Sequence, residues 1–433
     1  MGHGSGYAVN ATARGVRNTY LLLLLLHTLA ASLIWGINTL FLLDAGLSNT
    51  EAFAANAFFT AGLVLFEVPT GVIADTRGRR RSYLLGTLTL SVATVLYTLM
   101  WHVAAPFWAW AAASTLLGFG FTFFSGAVEA WLVDALQDSG YFDEGGALET
   151  VLAKGEIVEG AAMLGGSVAG GLLAQATNLG VPYVVRAVVL VLSFALAFTR
   201  MHDIGFTPSR GRSAVEDVRS ILRSSIEHGL GNRPVRWVML AAPFTMGVMI
   251  YAFYAMQPYL LELYGDESAY AVAGAAAAIV AGAQIAGGLL VPHIRRLFQR
   301  RTTVLIVVTA LSTIVLAGIG LVPRLGVAIA LLVLWGLMFA ALMPVRQAYL
   351  NALIPSSQRA TVLSFDSLLG SGGAVVTQPL LGRAADVAGY PASYLACAGI
   401  QAFALPFLWL ARREAVDADA IVDAPVSSTT THR

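Results

Sequence analysis

The chain has 433 residues and a formal net charge of +1, which excludes the strongly basic surface that nucleic-acid binding requires. Hydrophobic residues make up 57% of it and charged residues only 12%, about half the ~25% of a soluble domain; with a mean hydropathy of +0.72, its natural solvent is a bilayer. A single cysteine, Cys397, excludes an intrachain disulfide and a cysteine-cluster metal site.

In chain order, a polar stretch over residues 1–19 precedes an apolar run at 20–43. That run is too long for a signal-peptide core and lacks a cleavage site, so it reads as a retained first span. A bilayer core needs about 20 mostly apolar residues per helix. By that measure eleven more spans follow, at 51–74, 82–101, 106–131, 151–176, 183–200, 237–262, 270–292, 303–322, 325–347, 361–382 and 392–411. They are helices, because the segments are too long and uniformly apolar for barrel strands. Residues 201–236 form a polar, Arg-rich central loop. Within it, Ser213 and Glu216 have capping-box spacing, and Val215, Val218, Leu222 and Ile226 follow at helical intervals, which predicts an amphipathic helix on the membrane face. The tail over 413–433 reads as disordered.

With a cytoplasmic amino terminus, 23 of the 26 basic residues fall on the inner side, leaving Arg186, Arg324 and Arg383 outside. This bias puts both termini in the cytoplasm. The two parts flanking the loop, 20–200 and 237–412, also repeat each other. "TVL" at Thr150 recurs at Thr361, Gly118 has a counterpart in Gly336, "EAWLVDAL" from Glu129 is echoed by "QAYLNAL" from Gln347, and Gly71 matches Gly288. The offsets, 211 to 218, agree with one another and predict a duplicated six-helix unit around a central site.

These features resemble the major facilitator superfamily of secondary transporters, over residues 20 to 412. The most specific element is "GVIADTRGRRR", in which Gly71, Asp75, Gly78, Arg79 and Arg80 match the family's loop signature between spans two and three. Thr76 departs from it, and in the second copy Pro292 replaces the acid. The resemblance implies an all-α, polytopic fold of two pseudo-symmetric six-helix bundles. It also implies that the loop latches the halves in the outward-facing state, with Asp134 as a further partner. Gly71 is expected to allow close helix approach, Gly78 the tight turn, and Asp75 to pair with Arg79 or cap a helix.

Span five, "GAAMLGGSVAGG", suits close helix packing and also resembles the family's antiporter signature, although Gly166 replaces its proline. Ser114 stands near where drug exporters of the family carry a span-four arginine. Ionisable residues inside spans are functional candidates because burying charge in hydrocarbon is costly. They include His27, Glu156 and the proton-coupling candidates Glu67, Glu129, Glu159, Arg346 and Asp366. Glu67 suits a gate network or proton carriage, and Glu129 with Arg346 suits an ion pair between halves.

The resemblance places the substrate cavity on spans one, four, seven and ten, which points to Trp35, Asn38, Phe123, Ser125, Tyr251, Tyr254, Gln257, Trp335 and Met338. No P-loop and no histidine metal pattern occurs, so neither an ATP-driven mechanism nor an enzyme is expected, and no cofactor or metal. The sequence thus reads as a monomeric transporter in the cell membrane, exporting a small organic compound in exchange for protons. The alternative is a proton symporter importing a sugar or other metabolite, which predicts a more polar cavity. A polytopic membrane enzyme or sensor would need a cluster of catalytic residues at one depth.

Overall fold

The computed structural model describes residues 3–208, 223 and 225–421. Among them the only β-structure is an isolated antiparallel bridge between Arg300 and Ala420. Helix dominates because it satisfies every backbone N–H and C=O within one segment, the condition hydrocarbon imposes. Eleven helical stretches are long and apolar enough to cross a membrane, and one of them makes two crossings. The helix Arg359–Ala402 turns at Gly389, where φ is 80° and ψ 169°, a conformation readily open only to glycine. The fold is therefore all-α with twelve spans, as expected, and an even number of crossings puts both termini on one face.

Span one is His3–Trp35 continued by Asn38–Asp44, span two Asn49–Arg77 and span three Arg79–His102. Span four is Phe107–Thr122 continued by Ala127–Asp138. Spans five and six are Leu148–Ala176 and Val181–Arg200. The second half begins with Arg233–Tyr264, Tyr270–Leu289, Arg301–Leu321 and Leu325–Leu353. Spans eleven and twelve share Arg359–Ala402, and Ala404–Arg413 completes span twelve.

Packing repeats between the halves. Span one lies against five and six, two against four, and three against six; seven lies against eleven and twelve, eight against ten, and nine against twelve. The halves then meet along two seams, span two on eleven and span five on eight. Glycines set the second seam. A Cβ on Gly171 would stand 2.8 Å from the Tyr270 carbonyl oxygen, and one on Gly274 would stand 2.7 Å from that of Ser167. Gly166 and Gly170 face span one, where a Cβ would collide with Ser32 Oγ and the Leu33 carbonyl. Gly166, Gly170 and Gly171 of span five are thus consumed by helix packing, whereas Gly165 faces open space.

The tail differs from expectation. Residues as far as Ile421 pack back on the second half instead of being disordered. Asp419 is buried, and its carboxylate accepts the Thr302 N–H at 2.8 Å and the Thr302 hydroxyl at 2.7 Å, capping span nine. Trp237 Nε1 donates to Glu414 at 3.1 Å, and the Ile421 N–H donates to the Gln299 carbonyl at 2.9 Å. The expected amphipathic helix from Ser213 lies outside the described residues, save for Arg223 and a short π-helical turn, Ser225–Leu230.

Candidate transport site

A cavity of about 290 Å³ lies in the first half. Span one contributes Thr28, Ser32, Trp35 and Asn38, while Asn56, Tyr97, Phe121 and Arg186 come from spans two, three, four and six. Tyr254 is the sole lining residue from the second half. The wall carries a connected polar network. Asn38 Nδ2 donates to Asn56 Oδ1 at 3.0 Å, and Asn38 Oδ1 accepts the Tyr183 hydroxyl at 3.0 Å. Tyr97 and Ser114 hydroxyls share a 2.5 Å hydrogen bond, so the position where exporters carry an arginine here braces a cavity tyrosine.

Arg186 is the only charged side chain on this wall among the described residues. It is 3% exposed. Its Nε donates to Thr94 Oγ1 at 3.2 Å, and its guanidinium carbon lies 5.8 Å from the centre of the Phe121 ring. Sequence reasoning counted Arg186 among the outer cations, yet it stands inside an apolar run, "VVRAVVLVL". That interruption was the signal: a charge amid so much hydrocarbon-compatible sequence needs a reason.

Of the nine predicted cavity residues, Trp35, Asn38 and Tyr254 line this space. Trp335 and Met338 instead border a void of about 20 Å³ in the second half. Phe123 is buried at the break in span four, where its freed carbonyl accepts the Ser82 hydroxyl at 2.8 Å. Ser125 is exposed at the same break. Tyr251 is buried against Phe53, with ring centres 4.4 Å apart.

Gln257 plays a different part from the one expected. It is buried, and its side-chain amide accepts the Thr39 N–H at 3.0 Å and donates to the Trp35 carbonyl at 2.8 Å. Those two backbone groups would bond each other in an unbroken helix. An amide from the second half has thus been inserted into the ladder of span one, satisfying groups that hydrocarbon could not. Beside it Trp35 stacks on Phe253, ring centres 4.2 Å apart.

The halves are locked at the face opposite the termini. Asp386, at the end of span eleven, accepts the N–H groups of Asn49 and Thr50 at 2.9 Å each and the Thr50 hydroxyl at 2.5 Å. A carboxylate from one half therefore caps the start of span two in the other, where the helix dipole favours negative charge. Tyr390 donates to Asn49 Oδ1 at 2.5 Å, and the Ala271 N–H donates to Gln175 at 3.3 Å. Gln378 donates to Thr60 Oγ1 at 3.4 Å, nearer mid-span. Among the described side chains, no hydrogen bond joins the halves nearer the termini than this.

The arginine loop sits on the terminal face. Asp75 forms an i,i+4 ion pair with Arg79. Gly78 separates spans two and three with φ 107°, and a Cβ there would strike the Asp203 carboxylate. That carboxylate also accepts the Arg80 N–H at 2.8 Å, while Arg80 Nη2 donates to the Phe198 carbonyl at 2.6 Å. Asp203, from the segment after span six, thus holds the arginines. Asp134 makes no ion pair with them among the described residues, in a conformation whose lock lies at the opposite face. Nor does Gly71 allow a close approach here, since a Cβ would meet open space, as at its counterpart Gly288.

The remaining ionisable candidates separate by half. Arg346 and Asp366 form a bidentate pair within the second half, with both bonds 2.6 Å. This replaces the expected pairing of Arg346 with Glu129, because Asp366 sits on the adjacent span and satisfies both arms of the guanidinium. Glu129, Glu156 and Glu159 lie close enough to one another and to Tyr20 to interact electrostatically. Glu67 is exposed; its carbonyl accepts the Thr70 hydroxyl at 3.2 Å, and its carboxylate bonds no described side chain. His27 is half-buried against Phe121 and Phe124, with its Nδ1 unpartnered. The described residues contain no group of three metal-ligating side chains.

The sequence matches the Major Facilitator Superfamily over residues 20–339 and 296–427. The chain belongs to this family. It is a multi-pass membrane protein that carries a small molecule by secondary active, alternating-access transport, and it is not an enzyme. Similar solved structures include a mutant of the nucleoside transporter NupG, with a TM-score of 0.76 at 11% identity, covering 91% of this chain and 99% of that one. A D-xylose–proton symporter has a TM-score of 0.65 at 14% identity, covering 93% and 97%. A bacterial homologue of the human lysosomal transporter Spinster, in an inward-facing and occupied conformation, has a TM-score of 0.67 at 16% identity, covering 94% and 98%. At these identities the likeness is one of fold. No curated protein matches the chain in sequence.

Proposed function

We propose that this member of the superfamily is a proton-coupled symporter that takes up a small polar metabolite through the cavity of its first half. The observation that carries this reading is the set of amide and charged groups, two asparagines and an arginine, on an otherwise largely apolar cavity wall. Export of a hydrophobic compound gives no use for the buried Asn56 Nδ2 and the Arg186 guanidinium, whose donors the protein leaves unfilled or partly filled and which cost free energy when buried unless something binds them. The hint toward antiport also weakens, because packing accounts for three of the span-five glycines, Gly166, Gly170 and Gly171. The positive-inside arginines orient the terminal face toward the cytoplasm, so the Asp386 lock closes the outer side and this conformation is inward-facing. Glu129 and Glu159 are the proton-carrying candidates, with Glu67 and the Asp75 loop serving the inner gate.

Proteoliposomes under an inward-directed proton gradient, supplied with labelled sugars, nucleosides, amino acids and carboxylic acids, should accumulate at least one class. A protonophore should abolish that accumulation. Movement of solute only against an incoming proton flux would reinstate the exporter and overturn the reading.

A further inference from the structure

Burying an arginine away from water costs several kcal/mol unless a partner returns it, and the guanidinium stays protonated at any physiological pH. Arg186 is 97% buried by its 3% exposure. It forms no ion pair: those among the described residues are Asp75–Arg79 and Arg346–Asp366. Only its Nε is used, on Thr94. Nη1 and Nη2 bond to no described protein group, and Arg186 lines the cavity.

The second half supplies an internal control. Gln401 and Thr309 each follow Arg186 and Thr94 by 215 residues, within the offset of the duplication. There the side-chain amide reaches span nine in the same way, donating to Ser312 Oγ at 2.9 Å, Thr313 Oγ1 at 3.3 Å and the Thr309 carbonyl at 3.4 Å. The scaffold therefore accepts a neutral group with its amide N–H donors satisfied at this place. The first half holds a cation instead, with its hydrogen-bonding fork unfilled.

We propose that Arg186 binds the anionic group of the transported solute, a small organic carboxylate. This rests on the reading that the cavity is the transport site. The Nε contact with Thr94 fixes the guanidinium plane and leaves the two Nη groups to grip both carboxylate oxygens, a match of planar forks that a spherical ion lacks. Asn38 and Asn56 offer further polar contacts, and the rings of Trp35, Phe121 and Tyr254 take the apolar body. Neutralising the arginine on binding removes the burial cost, so empty and loaded cavities differ in charge where the halves must rock past each other.

The test uses the purified full chain and a series of monocarboxylates from acetate to phenylpropionate, each beside its amide and amine, with chloride alone as a separate arm. At least one carboxylate should raise the melting temperature saturably while its amide and amine do not. Arg186→Gln should weaken that binding roughly 10- to 100-fold, the scale of lost charge-assisted hydrogen bonds. Arg186→Lys should recover part of it, and Gln401→Ala should leave it unchanged. Without ligand, Arg186→Gln should melt no lower than the unchanged protein, because it removes an unpaired buried charge. A marked drop would make Arg186 a structural residue and overturn the assignment. So would binding that persists in Arg186→Gln, equal binding of the amide, a shift produced by chloride alone, or no carboxylate binding at all. If a carboxylate binds through Arg186 yet no solute moves, the uptake reading fails and this one stands; uptake of neutral solutes unaffected by Arg186→Gln gives the reverse.

Discussion

At matching places in the two halves, Arg186 and Gln401 reach from spans six and twelve toward spans three and nine. The first faces a cavity of about 290 Å³ with its fork unfilled, whereas the second closes a void of about 20 Å³ with three hydrogen bonds. One duplicated scaffold thus supports a site in one copy and a packed core in the other. Charge placement follows the same division. The second half's half-buried arginine, Arg346, has a bidentate carboxylate, and the first half's buried Arg186 has none. A paired cation holds helices together, while an unpaired one waits for a ligand.

The comparison can be broken first at Asp366. Asp366→Asn leaves Arg346 without a counter-charge and without a cavity to hold one. It should cost about 3 kcal/mol, seen as a lower melting temperature of the purified protein; an unchanged melt would mean the pair is solvated and the contrast with Arg186 empty. A smaller effect is expected at Asp386. It is exposed at the opposite face, so Asp386→Asn should weaken the lock by about 1 kcal/mol, roughly a fivefold shift in the balance of open and closed states. Spin labels on cysteines at exposed Val103 and Glu267, one in each half, would report a growing long-distance population. Cys397 is buried and should not compete for label. An unchanged distance distribution would remove Asp386 from the gate.

The twelve spans and the duplication were legible because hydrophobic length and repeated spacing survive in a single sequence. Three of the cavity's residues, Trp35, Asn38 and Tyr254, were legible through the helices that line such sites. What stayed hidden depends on helix rotation and on contacts between distant segments. Gln257 looked like a cavity amide, but rotation turns it into the backbone of span one. Asp203 follows a span end with no motif around it, yet it holds the arginine loop. Asp386 reads as an ordinary charge near a span end until span two begins beside it. Arg186 was visible in the sequence, but counting charges by face hid a residue that stands within the span.

The central claim is that transport runs through the first half's cavity. Its most direct measurement is gradient-driven solute uptake into proteoliposomes by Asn38→Ala beside Trp335→Ala, each reconstituted to equal density. Asn38→Ala should lose about 1–2 kcal/mol of substrate interaction, roughly a five- to thirtyfold fall in uptake at limiting solute. Trp335→Ala should retain uptake once its lower stability is allowed for, since it borders only the small second-half void. Full uptake by Asn38→Ala with uptake abolished in stably folded Trp335→Ala would contradict the account.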